Sequence, residues 1–460
     1  MSHSLVDFLE KAEKKSFDPE HRKRLDFNIS KYDAKVREGK LQYTDIELAK
    51  KRAANIKYKV LSNLDRYLLE FETNFTRNGG KVIWASSEKD AHRELINIVK
   101  RSDAKLIVKQ KTMLSEELEI NGLLKKNHRE VVETDLGEFI VQIAGEKPYH
   151  IVTPAMHKSK EDVAALFHQK FGTPPESKPE EITMFVRELL REKFIRADIG
   201  ITGGNFLIAD TGAVALTENE GNGLLSYAFP KIHIAMVGIE KIIPSLEDLD
   251  LFLPLLATLG TGQHITVYNN IITGPKTSTE PDGPDEMYVI LIDNGRTDLL
   301  KFPEQRSALS CIRCGACLNG CPVYRSIGGY TYGAVYSGPI GSVISPHYLG
   351  LKEYNHLSYA SSLCGKCTEV CPLKIPLHEL LLHNRHETVK SGYSKPSWKF
   401  IMFGWKKVML NRWMLDKTGS ALKNRLIKMF FRKHWGERRE LPQVAKKNFR
   451  QLWSEKQREN

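Results

Sequence analysis

The first 310 residues contain no cysteine, and none follows residue 371. All seven thiols of this 460-residue chain therefore lie in one short stretch, which leaves no disulfide framework for the rest of the fold. No window approaches the roughly 20 apolar residues needed to cross a bilayer. The opening residues, MSHSLVDFLEKAEKKSF, lack the apolar core of a secretory signal. A cytoplasmic chain is the expectation, and in that compartment clustered thiols are metal ligands or redox groups more often than structural disulfides. Neither G-x-G-x-x-G nor the P-loop pattern occurs in the α/β part, so nucleotide binding has no motif support, and nothing offers a flavin or nicotinamide for a hydride step. No period of roughly 20 to 50 residues repeats along the chain. Tryptophan is nearly missing before residue 398, where Trp84 stands alone, and acidic residues are scarce after residue 390. From 391 to 460 there are 18 Lys plus Arg against 5 Asp plus Glu, so the net charge of +12 resides in a tail that also holds five of the six tryptophans.

Periodicity divides the remainder. Residues 1–75 are charged and helical in pattern, with Val60, Leu61, Leu64, Leu68 and Leu69 spaced for one helix face. From residue 76 to 295, β-branched runs alternate with amphipathic segments. VIWAS (82–86), LIVKQ (106–110), EVVET (130–134) and HIVTP (150–154) are expected as strands, EKDAHRELINIVKR and 183–196 as helices, and IHIAMVG, ITVYNNIITGP and MYVILIDNG as further strands. Alternation of this kind predicts a mostly parallel sheet covered by helices. Residues 296–390 hold the cysteines and a helix beginning near Leu377, and 391–460 form the basic, Trp-rich helical tail. In that tail Trp398, Ile401, Met402, Trp405, Val408 and Met409 fall on one helical face, opposite Lys399, Lys406 and Lys417, as an interfacial helix requires.

The first cysteine run, SCIRCGACLNGCPVY, places Cys311, Cys314, Cys317 and Cys321 before Pro322 in the C-x2-C-x2-C-x3-C-P spacing of bacterial ferredoxin modules. Soft thiolates suit iron–sulfur clusters, and two-residue gaps let one loop wrap a cube. The second run, SLCGKCTEVCPLK, has only Cys364, Cys367 and Cys371. Aligned at their Cys-Pro ends, the runs match except that Ser361 stands at the position of Cys311. Crossed ligation assigns Cys311, Cys314, Cys317 and Cys371 to one 4Fe-4S cluster, and Cys321, Cys364 and Cys367 to a second with three thiolates. That second cluster has an oxygen ligand, either Ser361 or water, or lacks an iron. The rival arrangements are a zinc site built from two C-x2-C pairs and a single cluster with spare cysteines. A three-thiolate cluster also admits hydratase-like substrate binding, although two linked runs favour electron relay.

The other distinctive region is GITGGNFLIADTGAVALTENEGNGLLS (200–226). Its NEGNG loop is expected to be either a plain hairpin-type turn or a tight loop whose amides hold an anion, and Glu218 and Glu220, which are candidate nucleophiles or bases, to be solvated. Together with VILIDNGR, YSGPIGSVISP and the cysteine spacing, this region resembles the lactate utilization protein B (LutB/YkgF) family of iron–sulfur proteins, over roughly residues 75–390. The resemblance implies an α/β LUD domain, similar in fold to the sugar-isomerase and CoA-transferase superfamily, followed by a mainly helical two-cluster ferredoxin module. It further implies an electron carrier that acts with two companion proteins in oxidising L-lactate to pyruvate and passes electrons to a quinone or another carrier, with the seven cysteines as its cluster ligands. No catalytic residue of its own is assigned, and nucleic acid is not an expected partner. An enzyme working in its own α/β pocket, CoA-transferase-like or hydratase-like, is the alternative. The family's usual NEGNGR reads NEGNGL here, so Leu224 takes the place of an arginine. The tail lies outside the resemblance, and its pattern adds peripheral contact at the inner membrane face as an expectation.

Overall fold

The computed structural model describes residues 3–150, 152–394, 396–413, 419–435 and 440–459. They divide into two compact units, one ending at Glu387 and the other beginning at Thr388. The first is built on a six-stranded sheet: β1 (Lys81–Ala85), β2 (Leu106–Lys109), β3 (Glu130–Glu133), β4 (Ile199–Thr202), β7 (Ile232–Gly238) and β10 (Glu286–Ile292). Its order is β1-β10-β7-β4-β2-β3, with every pairing parallel. Successive side chains alternate between the two faces of a strand. Ile232, Ile234 and Met236 accordingly meet Ala91, Leu95, Ile98 and Leu124 of covering helices, whereas Ala235 and Val237 meet Leu68, Phe71 and Phe75. Burial on both faces explains why β7 and β10 read as continuous apolar runs. A smaller sheet, ordered β8-β5-β6-β9, combines β5 (Phe206–Ile208), β6 (Ala213–Glu218), β8 (Ile242–Ile243) and β9 (Tyr268–Ile272).

Four N-terminal helices, His3–Ser16, Pro19–Gly39, Ile46–Ser62 and Leu64–Arg77, precede the large sheet. Asp18 and Asp45 cap the second and third by accepting the N–H of His21 and Leu48. These helices form walls of the core: Phe8, Ala53 and Leu61 share one apolar cluster with Phe206, Phe252, Leu318, Tyr324 and Tyr332. Full burial of Phe71 and Phe75 is worth about 1.5–3 kcal/mol each. Lys57 drives its ammonium into the interior, donating to the carbonyls of Glu240 and Ile242 at 2.5 and 3.0 Å.

One expected strand is missing. Residues 150 and 152–154 form a turn instead, with Ile151 outside the described residues. The buried His150 ring accounts for this, since its Nδ1 accepts the N–H groups of Val152 and Thr153 at 3.1 and 3.2 Å, which a ladder would otherwise use. The second unit contains the helices Pro396–Met409, Ser420–Trp435 and Phe449–Glu459. Trp398, Ile401, Met402, Trp405 and Met409 are exposed on the expected face, but Phe400 and Phe403 are exposed among the lysines as well. Lys407 lies 5.6 Å from the Phe403 ring. Lys417 falls outside the described residues.

Candidate metal centre

Both cysteine runs fold into the same loop. In the first, Arg313 (φ 63°) and Gly315 (φ 82°) take left-handed backbone around Cys314, and in the second Leu363 (φ 56°) and Gly365 (φ 79°) do so around Cys364. A side chain in that region costs about 1–2 kcal/mol, so Arg313 and Leu363 are held there by the tight curl of the loop. Short helices, Ala316–Asn319 and Lys366–Val370, follow each curl and lead to Cys321 and Cys371. The N–H of Arg313 points at Cys311 Sγ at 3.4 Å, and the N–H of Leu363 donates to Ser361 Oγ at 3.1 Å. Serine therefore occupies the cysteine position together with the hydrogen bond that goes with it. Arg385 steadies this second loop by donating to the carbonyls of Ser358 and Ser361, both at 3.0 Å.

Electrostatic neighbours sort the thiols into two sets. Burial raises the Cys314 and Cys317 thiols, and Cys311 and Cys371 push both further up. Cys371 is pushed up to about 12 by burial, with Cys311 adding to it. In the other set, burial raises Cys321 with help from Cys364, and Cys367 reaches about 11 through burial and the proximity of Cys321 and Cys364. Buried, crowded thiols resist ionising on their own, whereas coordination to a metal deprotonates them outright. Thiols at C-x2-C-x2-C-x3-C spacing fit ligands on separate corners of a cube. In the first set Cys314, Cys317 and Cys371 are buried and Cys311 half-buried; the second set runs from buried Cys367 through half-buried Cys321 to exposed Cys364.

The first set backs onto a buried charge network that sequence reasoning missed. Glu240 holds Arg296 Nε at 2.7 Å, Arg296 reaches Glu117 at 2.9 Å, and Tyr336 donates to Glu117 at 2.5 Å. Arg313 stacks over the Tyr336 ring at 4.4 Å and lies 3.9 Å from Glu240. Lys241 Nζ approaches the Cys311 carbonyl at 3.5 Å. Burial alone would raise the Glu240 carboxyl, but Arg296, Lys241 and Arg313 hold it down at about 2. The available signal was VILIDNGR, which contains Arg296, and the arginine inside the first run.

The NEGNG loop corrects two expectations. Its amides do hold an anion, but the anion is the chain's own Glu218, which accepts from Gly223 and Leu224 N–H at 2.6 and 2.8 Å and from Gln110 at 3.3 Å. Glu218 is thus buried and coordinated, not solvated. Glu220 is exposed.

Comparison with known proteins divides the chain in a similar way. The LUD domain family matches residues 68–292 and the 4Fe-4S dicluster domain family matches 307–375. Lactate utilization protein B of Bacillus licheniformis is 43% identical over 422 residues, covering 88% of each chain. The protein of the same name from Bacillus subtilis is 43% identical over 417 residues, covering 87% of this chain and 86% of that one. An uncharacterized electron transport protein, YkgF, of Escherichia coli is 40% identical over 421 residues, covering 88% and 87%.

Proposed function

The chain belongs to the lactate utilization protein B family, and from that premise we propose that it is an iron–sulfur electron carrier in the oxidation of L-lactate to pyruvate. Electrons would come from one of two companion proteins that carries out the dehydrogenation, and leave for a quinone or another carrier. The observation that supports this most is the sorting of seven thiols into two neighbouring sets. We assign Cys311, Cys314, Cys317 and Cys371 to one 4Fe-4S cluster and Cys321, Cys364 and Cys367 to a second iron–sulfur cluster, whose remaining corner is held by Ser361 or water or lacks its iron. Clusters held there would supply single-electron storage, two of them matching a two-electron oxidation. The protein's own part is to fix their separation on one polypeptide, to bury most of the first set and to leave one corner of the second, Cys364, at the surface. The division we propose runs 1–75 helical, 76–295 LUD, 296–390 iron–sulfur and 391–460 tail. The deciding assay mixes purified protein, companion components and L-lactate without oxygen and follows cluster absorbance. Bleaching is expected; clusters that stay oxidised although dithionite reduces them would remove the protein from this pathway.

A second proposal concerns location. No helix among the described residues is long and apolar enough to cross a membrane. The tail nevertheless exposes Trp398, Phe400, Phe403, Trp405 and Trp453 in a strongly basic segment, the combination that seats helices in an anionic bilayer surface. We place the protein in the cytoplasm with this tail on the inner face of the membrane. Full-length protein should sediment with phosphatidylglycerol-containing vesicles and a chain ending at residue 390 should not; equal sedimentation would exclude the tail.

A further inference from the structure

The large sheet ends in two edge strands, β3 and β1, and only one of these edges is closed. At β3 the outward backbone groups are met by the Gln142 amide of the helix Leu136–Ala144, which donates to the Val131 carbonyl at 3.2 Å and accepts the Glu133 N–H at 3.1 Å. A side chain thus takes the place of the next strand. At β1 the Asp293 N–H donates to the Ala85 carbonyl at 3.0 Å, so Lys81, Ile83 and Ala85 bond to β10, while Val82 and Trp84 turn their N–H and C=O groups away from the sheet. Among the described residues nothing bonds these four groups. Native sheets blunt such an edge with a proline, a bulge or a covering segment. Here Trp84 stands on it instead, 45% exposed.

Trp84 shares an apolar groove of about 570 Å³ with Leu64, Leu69 and Leu291, beside the C-terminal end of β1. Asp65 and Asp293 line the same groove, and neither is in an ion pair among the described residues. The N-terminal end of β1 is basic. Arg77, Lys81 and Arg101 are exposed there, and Lys81 and Arg101 share the single carboxylate of Glu286 at 2.6 and 3.3 Å. A strand that is basic at its start and acidic at its end is complementary to its own reverse. We propose that β1 docks a second copy of this chain, antiparallel, about a two-fold axis at Ile83. In that register Val82 of each copy faces the partner's Trp84, and each such pair exchanges two N–H···O=C bonds. Opposed residues share a face, so each indole also covers a valine, and the acidic end of one edge meets the basic end of the other. Two six-stranded sheets become one continuous sheet. A foreign extended peptide would need only the free edge; the reversal of charge along the strand favours a second copy. The interface does not rest on electron carriage.

The test is light scattering on the full-length chain, purified anaerobically with its iron, over a dilution series. Twice the chain mass is expected at high concentration, falling to one chain on dilution. Val82→Pro removes an outward donor and leaves the ladder to β10 intact, so it should weaken the dimer at least about tenfold with iron content unchanged. If that variant folds poorly, Trp84→Lys, at an exposed side chain, should weaken the dimer as much by placing two like charges in the contact. Ile83→Cys tests the register. Its two copies meet at the axis, roughly 4.5 Å apart at Cα and within disulfide reach, so diamide should yield a covalent dimer on a non-reducing gel beyond any that the parent chain gives. A single chain at every concentration overturns the proposal, as does a dimer that Val82→Pro and Trp84→Lys leave unweakened, and a dimer that Ile83→Cys does not trap overturns the two-fold register. A chain that stays single while its clusters still bleach with lactate and companions would remove the interface and leave electron carriage standing.

Discussion

Arg313 and Leu363 occupy the same left-handed position in their loops, yet one carries a guanidinium packed over Tyr336 beside a buried carboxylate and the other a half-buried aliphatic chain. The first loop is backed by Glu240, Arg296 and Glu117, whose side chains are almost fully buried. Ion pairs at the second run face solvent: Lys366 with Glu369, and Glu47 with Lys374 and Lys50, at 2.8 Å each, where Glu47 is 53% exposed. Identical backbone in unlike surroundings separates what a cluster loop needs from what tunes it. The curl and the inward N–H are common to both, whereas burial, charge and the identity of the first corner differ.

The comparison can be broken most severely at the three-thiolate set. Cys364→Ser, which leaves that set two thiolates at an exposed corner, should remove one whole cluster, lowering iron by about half, whereas Cys371→Ser leaves three thiolates and a serine in a buried setting and should cost less iron under anaerobic handling; equal losses would mean that neither shielding nor thiolate number separates the sets. Next come the two carboxylates. Glu240→Gln should destabilise the protein by about 3 kcal/mol, because it removes one of the two carboxylates of the buried Arg296 and the carboxylate beside Arg313, and Glu47→Gln by less than about 1 kcal/mol, because water screens that pair. Urea unfolding of both variants measures the gap. Both carboxyls sit at about 2 in the folded protein, below their unfolded value. Their contributions are therefore complete above the ordinary carboxylate range and are lost as pH falls through about 2, so the gap between the variants should close toward that pH.

Ser361→Cys sharpens the comparison in the opposite direction. With eight matched corners, the second cluster should keep its iron longer in air. If the parent already retains about eight iron atoms per chain after aerobic handling, the corner at Ser361 is not a weak point. The smallest effect expected is at Leu363→Gly, which relieves a left-handed side chain and should stabilise by up to about 1 kcal/mol in urea unfolding. Arg313→Gly offers no such gain, because it also removes the contact with Tyr336.

The strands of the large sheet were legible because burial on both faces leaves runs such as IHIAMVG and MYVILI with little alternative. HIVTP has the same composition but lost its ladder to a histidine nitrogen two residues away, a competition that periodicity does not register. The spacing of cysteines supplied the expectation that Cys371 joins the first run, since crossed ligation is what the motif implies. It carried nothing about Glu240 or Glu117, because these lie far along the chain from Arg313 and meet it only through the fold. The occupant of the NEGNG amides was hidden for a related reason: Glu218 looks like an ordinary loop carboxylate until the turn folds back on it.

The N-terminal helices share their apolar cluster with the cysteine module, and Phe8 lies against the rings of Tyr332 and His356 at 6.3 and 5.2 Å. During synthesis the first helix leaves the ribosome more than three hundred residues before the partners that bury it. At roughly 5–20 residues per second, Phe8 waits for at least about fifteen seconds with its ring uncovered. Completion of the N-terminal region is thereby postponed until the segment between the two cysteine runs, which carries Tyr332 and His356, has been made, so the beginning of the chain is among the last parts to finish folding.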